Sequence, residues 1–337
     1  FTALNGQLTI GKATLTVKAN DTSRIYGEAN PTFTAGFSGF RNNDNAATIG
    51  LSGAPSFATS ATKASDAGIY PITTAAGDLS SKNYLFTAVN GQLTIGKATL
   101  TVKANDTSRA YGEANPVFTA GYIGFKNSDN INSIGVTGAP GMATGATVTS
   151  DAGTYPITTT TGDLVSKNYL FTAVNGQLTV GKATLTVKAK DTSRVYGEVN
   201  PVFTASYTGF KNDEDFEKSD LTGQPGLATT ADTLTPIGTY TITASEGELA
   251  SRNYTMTYVD GDLKIDPAQI AVTIANKTKT YGDANPTFTF TYAGFKNGDT
   301  AGVIDAAPSA GSTATAASNA GTYPITVSGG SDNNYSF

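Results

Sequence analysis

Cysteine, histidine and tryptophan are absent from the 337 residues, and methionine occurs only twice. Without cysteine there is no disulfide framework, no thiol nucleophile and no thiolate metal site. Without histidine, a Ser-His-Asp triad and the usual zinc and non-haem iron sites are excluded. Catalysis would have to rest on carboxylates, lysine, tyrosine or serine alone, and no constellation of these emerges, so the chain does not read as an enzyme. Charged residues make up 15% and the net charge is −5, a balance that argues against a nucleic-acid partner. No apolar run approaches the roughly 18 residues of a membrane-spanning helix. The strong helix formers Leu, Glu, Lys and Arg are sparse. In their place stand 37 glycines and many Thr, Ser, Ala and Asn residues, a composition of short strands and tight turns.

The chain repeats itself. "RIYGEANPTF", residues 24–33, returns as "RAYGEANPVF", "RVYGEVNPVF" and "KTYGDANPTF". Tyr26, Tyr111, Tyr196 and Tyr281 stand 85 residues apart, as do Asn30, Asn115, Asn200 and Asn285, and Phe40, Phe125, Phe210 and Phe295. "GIYPIT", "GTYPIT", "GTYTIT" and "GTYPIT" start at Gly68, Gly153, Gly238 and Gly321, the last interval being two residues shorter. A unit of this length can bury a small core of its own, unlike the 20–45-residue repeats of a solenoid.

Within one unit, residues 14–19 alternate, with Leu15, Val17 and Ala19 on one face of a half-buried strand. A turn follows at "NDTSR", and Gly27 and the Asn30-Pro31 pair break regular structure. "TFTAGFSGF" brings Phe33, Ala35 and Phe37 into phase before Phe40. A third strand is expected near residues 56–62, another over 68–74, and a long final strand over 83–95. In "QLTIGKATLTVKA" the apolar phase breaks between Leu8 and Ile10 on even positions and Leu15 and Val17 on odd ones. We therefore read one strand ending a unit and another opening the next, joined by Gly11-Lys12-Ala13. The fold class is all-β: a tandem array of small sandwich-like domains, Ig-like or related, joined end to end by very short linkers into an elongated rod on the order of 150 Å. The expected domains are the last strand of an upstream repeat over 1–10, then repeats over 11–95, 96–180 and 181–265, and a fourth over 266–337 lacking its final strand.

Taken together, "KATLTVKAND…YGEANPTFTAGFSGF…GIYPITTA…NYLFTAVNGQLTI" resembles the MBG repeat family of very large bacterial secreted and surface adhesin-like proteins. The resemblance covers essentially the whole chain. It departs at Thr241, where the other copies carry Pro71, Pro156 and Pro324, and at Asp283, which replaces glutamate. It implies an extracellular, repetitive, structural protein and transfers no catalytic residues.

Several residue groups remain as candidate sites. Arg24, Tyr26 and Glu28 offer a cation, a ring and a carboxylate suited to a sugar, but turn chemistry alone accounts for their recurrence, and the structural reading is preferred. Asp44, Asp129, Glu214 and Asp299 recur after each "GF", with Asn42, Asn127, Asn212 and Asn297 two residues earlier. They are the calcium candidates. Calcium takes six to eight oxygens and this set offers two or three, so the favoured role is an N-cap for a short helical turn such as "DNAATIG". No metal or other cofactor is therefore assigned. Lys18, Lys103 and Lys188 with Asn83, Asn168 and Asn253 raise an intramolecular isopeptide bond, disfavoured because Lys18 points outward and Thr273 replaces it in the fourth unit. The reading that follows is a stalk or filament segment of a bacterial cell-surface or secreted adhesin. Its expected partners are neighbouring repeats of the same or another copy, with glycans or other surfaces contacted through regions outside this segment. Two alternatives are weak multivalent carbohydrate-binding modules acting by avidity, and a fibre subunit in which Leu8 and Ile10 of one chain complete the fourth unit of another by strand donation.

Overall fold

The computed structural model describes residues 1–2 and 4–337. Among them there is no α-helix. A single 3-10 turn, Ala301–Val303, interrupts the strands, and no helix is long and apolar enough to cross a membrane.

Repeat 1 carries seven strands: β1 (Ala13–Ala19), β2 (Thr22–Ile25), β3 (Ala35–Ser38), β4 (Ser56–Ala58), β5 (Gly68–Ala75), β6 (Tyr84–Val89) and β7 (Gly91–Gly96). They form two sheets, ordered β3-β1-β6 and β2-β7-β5-β4. β1 runs antiparallel to β3 and parallel to β6, while β7 runs parallel to β2 and antiparallel to β5. Ala13 pairs with Tyr84 at the start of β1, and Thr22 pairs with Leu93 at the start of β2, so both parallel pairings keep one offset. The β1-β2 and β6-β7 segments thus run side by side and pass together from the first sheet into the second. At that corner Asp21 Oδ1 accepts the Gln92 N–H at 2.8 Å, and Asn90 Oδ1 accepts the Thr74 N–H at 2.9 Å. A Cβ on Gly91 would lie 2.6 Å from the Ala19 carbonyl oxygen, which is why glycine follows Asn90. Repeat 1 is in this sense one curled sheet, repeats 2 and 3 show the same two strand orders, and the described strands of repeat 4 pair in three two-stranded sheets.

The alternation expected in β1 is present, with Leu15, Val17 and Ala19 fully buried. Three strand expectations need correction. The final strand is two strands: Tyr84 and Phe86 face one apolar cluster, whereas Leu93 and Ile95 have opposite parity and face another, so the chain must break at Asn90. The strand expected over 56–62 is only Ser56–Ala58. That in "TFTAGFSGF" is only Ala35–Ser38, with Phe33 outside it packing edge-on against Phe57.

By packing, the chain divides into two compact units: residues 1–109, 115–146 and 154–179, and residues 110–114, 147–153 and 180–337. Neither follows the 85-residue period. In the first unit, Ala19, Tyr26, Ala61, Ile72, Leu93 and Ile95 of repeat 1 share one buried cluster with Ala98, Leu100 and Tyr169 of repeat 2. In the second, Tyr196, Ile242, Leu263 and Ile265 of repeat 3 share one with Ala268, Ile270 and Tyr335 of repeat 4. A smaller cluster built on Leu15, Ile49 and Tyr84 belongs to repeat 1 alone. Between β7 and the next strand, Ala98–Ala104, only Lys97 intervenes.

Candidate functional site

The recurring phrase folds onto itself. Arg24, 6% exposed, donates from Nε to Asn30 Oδ1 at 2.7 Å and from Nη2 to the Thr62 carbonyl at 2.5 Å. Asn30 Nδ2 donates to the Ala61 carbonyl at 2.7 Å. Arg194 makes the same contacts to Asn200 and Asp232, and in repeat 4 Lys279 reaches the Asp283 and Thr315 carbonyls instead. Glu28 closes the turn by accepting the Ile25 N–H at 2.9 Å, and Asp283 does likewise for Thr280, so that replacement keeps its role. With Arg24 and Tyr26 both buried, the phrase does not present the cation, ring and carboxylate that a sugar site would need.

Tyr26 does more than cover the core edge. Its hydroxyl donates to Asp129 Oδ2 of the following repeat at 3.0 Å. The same oxygen accepts the Tyr169 hydroxyl at 2.7 Å, and the two rings meet edge to face with centroids 5.5 Å apart. The pattern recurs within the second unit. Glu214 accepts Tyr111 at 2.5 Å and Tyr254 at 2.7 Å, and Asp299 accepts Tyr196 at 3.4 Å and Tyr335 at 2.7 Å. Asp44 accepts the Tyr84 hydroxyl at 2.7 Å. The four calcium candidates are therefore acceptors for tyrosine, and among the described residues no three acidic side chains converge as a metal cage would need. Nor are they caps. In repeat 1 the turn is capped by the next residue, Asn45, whose Oδ1 accepts the Ala47 and Thr48 N–H groups at 2.9 and 3.2 Å. In repeat 3 Asp215 plays that part.

Burial and the neighbouring carboxylate set the tyrosine chemistry. Removal from water pushes the Tyr169 and Tyr335 hydroxyls up to about 12, with Asp129 and Asp299 adding to the shift. Burial raises Tyr254 as well. The Tyr169, Tyr254 and Tyr335 phenols stay neutral donors across the physiological range, each aimed at a carboxylate, the stronger class of hydrogen-bond acceptor.

Two further contacts surround the carboxylate. Asn42, Asn127, Asn212 and Asn297 adopt positive φ of 51–54°, tolerable for asparagine, and so bend the loop behind the acid. Asn127 and Asn297 also donate to the Lys63 and Thr233 carbonyls of the preceding repeat, at 3.3 and 2.9 Å. Gly27 has φ +85°, and a Cβ on it would lie 2.5 Å from Lys126 Cβ; Gly112 and Gly197 meet Lys211 and Lys296 in the same way. The glycine thus serves the turn and also the close approach of the next repeat. A second clasp uses asparagines considered for an isopeptide bond. Asn168 Oδ1 accepts the Ala67 N–H at 2.9 Å, its Nδ2 donates to Asp66 Oδ1 at 2.8 Å, and Lys167 reaches Asp66 Oδ2 at 2.5 Å. Asn253 and Arg252 repeat this on Ala152 and Asp151. Hydrogen bonds from Lys167 and Asn168 hold Asp66 below the usual carboxylate range. Lys18 is not brought to Asn83; its ammonium lies 4.0 Å from Asp21 in water.

Tyrosine, glycine and acid at 85-residue intervals thus join β-repeats in series, and the molecule is a structural repeat array. The family model of the MBG domain (YGX type) matches residues 15–94, 100–179, 185–264 and 270–337, and the chain belongs to that family. No curated protein matches it. Among solved structures it is similar to the I9–I11 tandem of titin, at 12% identity, covering 74% of this chain and 98% of that one, with a TM-score of 0.23. It is similar also to the three N-terminal domains of the outer capsid protein Hoc of bacteriophage RB49 (12%, 75% and 99%, TM-score 0.22). A third similarity is to the extracellular cadherin domains 1–5 of protocadherin gamma B2 (10%, 80% and 59%, TM-score 0.20).

Proposed function

We propose that this chain is a stiff spacer, the stalk or filament portion of a bacterial cell-surface or secreted adhesin, with no catalytic role. The observation that carries the reading is the carboxylate shared by two tyrosines from successive repeats. A contact of that kind orients one repeat on the next, beyond what a single linking residue such as Lys97 would fix. The shared apolar clusters point the same way, since bending within them would expose buried leucine and isoleucine to water. An extracellular location is supported by membership of the family and by a chain without thiols. Small-angle X-ray scattering with and without a calcium chelator tests the reading. A maximum dimension near ~150 Å, as four units in line would give, and unchanged by chelation, is the expected result. A compact particle in both conditions would remove the spacer function, and collapse on chelation would return the acidic loops to metal binding.

A further inference from the structure

The first two and the last two strands of repeat 1 are bonded into one seam. β1 and β6 pair in parallel from Ala13 with Tyr84 to Lys18 with Val89, and β2 and β7 from Thr22 with Leu93 to Ile25 with Gly96. Hydrogen bonds outside the strands extend it. Ahead of β1, Lys12 Nζ donates to the Ser81 carbonyl at 2.9 Å and the Ala13 N–H to the Asn83 carbonyl at 2.9 Å. At the corner between the sheets Asp21 Oδ1 accepts the Gln92 N–H, and past β2 the Tyr26 N–H donates to the Gly96 carbonyl at 2.8 Å. Repeats 2 and 3 keep the parallel pairing of their first strand, and Asp106 and Asp191 hold the same corner bond, to Gln177 and Asp262 at 2.8 and 3.0 Å. In these repeats a threonine pair also bridges the seam, Thr101 with Thr172 at 3.1 Å and Thr186 with Thr257 at 3.2 Å.

We infer that these repeats are load-bearing links, in which the seam resists tension applied along the chain. This rests on the spacer reading and adds a second duty to it, since a spacer need only hold its length. The chain enters repeat 1 at the start of β1 and leaves it at the end of β7. Because the paired segments run in the same direction, those two points lie at opposite ends of the seam. Tension therefore drags one segment along the other, and the evenly spaced bonds between them are strained together. Sliding is opposed from below as well. Leu15, Val17 and Leu93 are fully buried, and a slip of one residue would turn them outward. The antiparallel pair of β1 with β3 has the opposite property. Thr16 stands opposite Ser38, so Ala13 lies level with Arg41, and pulling those ends apart breaks the rungs one after another. Everything between residues 26 and 83, the loop of Asp44 included, is bypassed until the seam fails.

Single-molecule pulling on the 337-residue chain in two directions is the test. The chain has no cysteine, so pulling handles attach only where a cysteine is introduced. Gly11→Cys with Lys97→Cys loads the seam of repeat 1 in shear. Gly11→Cys with Arg41→Cys peels β1 from β3. All of these positions are exposed, and a Cβ on Gly11 meets nothing within 4 Å. Forced unfolding follows the barrier in the loaded direction, so at one loading rate the shear pair is expected to rupture at roughly twice the force of the peeling pair or more. Opening of repeat 1 should then lengthen the tether by at most roughly 300 Å. Equal forces in the two directions, or a weaker shear pair, overturn the inference while leaving an extended particle in scattering untouched. A compact particle in scattering would remove the spacer and leave the ratio of forces as it is.

Discussion

Asp129 accepts two phenolic hydroxyls, whereas Asp44 accepts one. Removing Asp129 leaves the Tyr26 hydroxyl, on a residue 5% exposed, without its acceptor, while the Tyr169 hydroxyl still accepts the Lys126 N–H. A buried polar group left unpaired costs about 1–3 kcal/mol. Asp129→Ala is therefore expected to destabilise by about 2–4 kcal/mol and Asp44→Ala by about 1–2 kcal/mol, read from urea unfolding of the whole chain. Equal losses would mean that the hydroxyl arriving from the preceding repeat contributes nothing. Tyr169 and Tyr335 predict the alkaline limit. A phenol raised from 10.0 to about 12 on folding stabilises fully below pH 10 and loses that contribution as pH rises toward 12. A spectrophotometric titration should show a late-ionising set of tyrosines whose ionisation coincides with loss of folded structure, and Tyr169→Phe should shrink that set. Simple ionisation of all sixteen near pH 10 with the fold intact would contradict this assignment.

Among the elements, the glycine turns separate two effects that sequence alone merges. Gly27 and Gly282 both have positive φ, +85° and +96°, but only Gly27 has a neighbour within reach of a Cβ. Gly282→Ala is expected to cost about 1 kcal/mol for the backbone alone. Gly27→Ala should cost about 2–4 kcal/mol, because the stem of Lys126 must move as well. Thermal unfolding of the two variants checks the difference, and indistinguishable midpoints would show that the close approach relaxes freely. These turns also mark how far the sequence could be read. The alternation of Leu15, Val17 and Ala19, the positive-φ glycine and the strand break in "QLTIGKATLTVKA", seen at Lys97 of the second copy, were all legible, because each is a local property of side-chain period or backbone sterics. The break at Asn90 carries the same parity signal as the junction, with Tyr84 and Phe86 even and Leu93 and Ile95 odd, and was available to the same test. The side-chain contact across the junction was not legible. In an array with one period, Tyr26 can meet Asp44 of its own repeat or Asp129 of the next, and identical spacing gives both readings equal standing. What decides between them is that β1-β2 and β6-β7 cross together into the second sheet, which carries Tyr26 to the end facing repeat 2.

Within each compact unit, the shared clusters imply that repeats 1 and 2, and likewise repeats 3 and 4, are not independent folding units. In repeat proteins stability is a sum of intrinsic terms and nearest-neighbour terms, and a neighbour term made from a continuous core is large. Leu93 belongs by sequence to repeat 1, yet it shares a cluster with Leu100 and Tyr169 of repeat 2, whereas Leu15 belongs to the cluster confined to repeat 1. Both side chains are fully buried, so each truncation to alanine is expected to cost about 2–5 kcal/mol by loss of burial and the cavity left behind. They should differ in where that loss appears. Leu93→Ala is expected to speed amide hydrogen exchange in the strand Ala98–Ala104 of repeat 2 as well as in β7. Leu15→Ala should speed exchange in β1 and β6 and leave Ala98–Ala104 at its original protection. Because the two variants remove the same side chain from equally buried sites, a general destabilisation would affect Ala98–Ala104 equally in both. Only a core that continues from Ile95 into Ala98 and Leu100 makes the response depend on which leucine is lost. Exchange in Leu93→Ala confined to repeat 1 would show that Lys97 is a hinge between independent domains rather than a single residue set within one packed body.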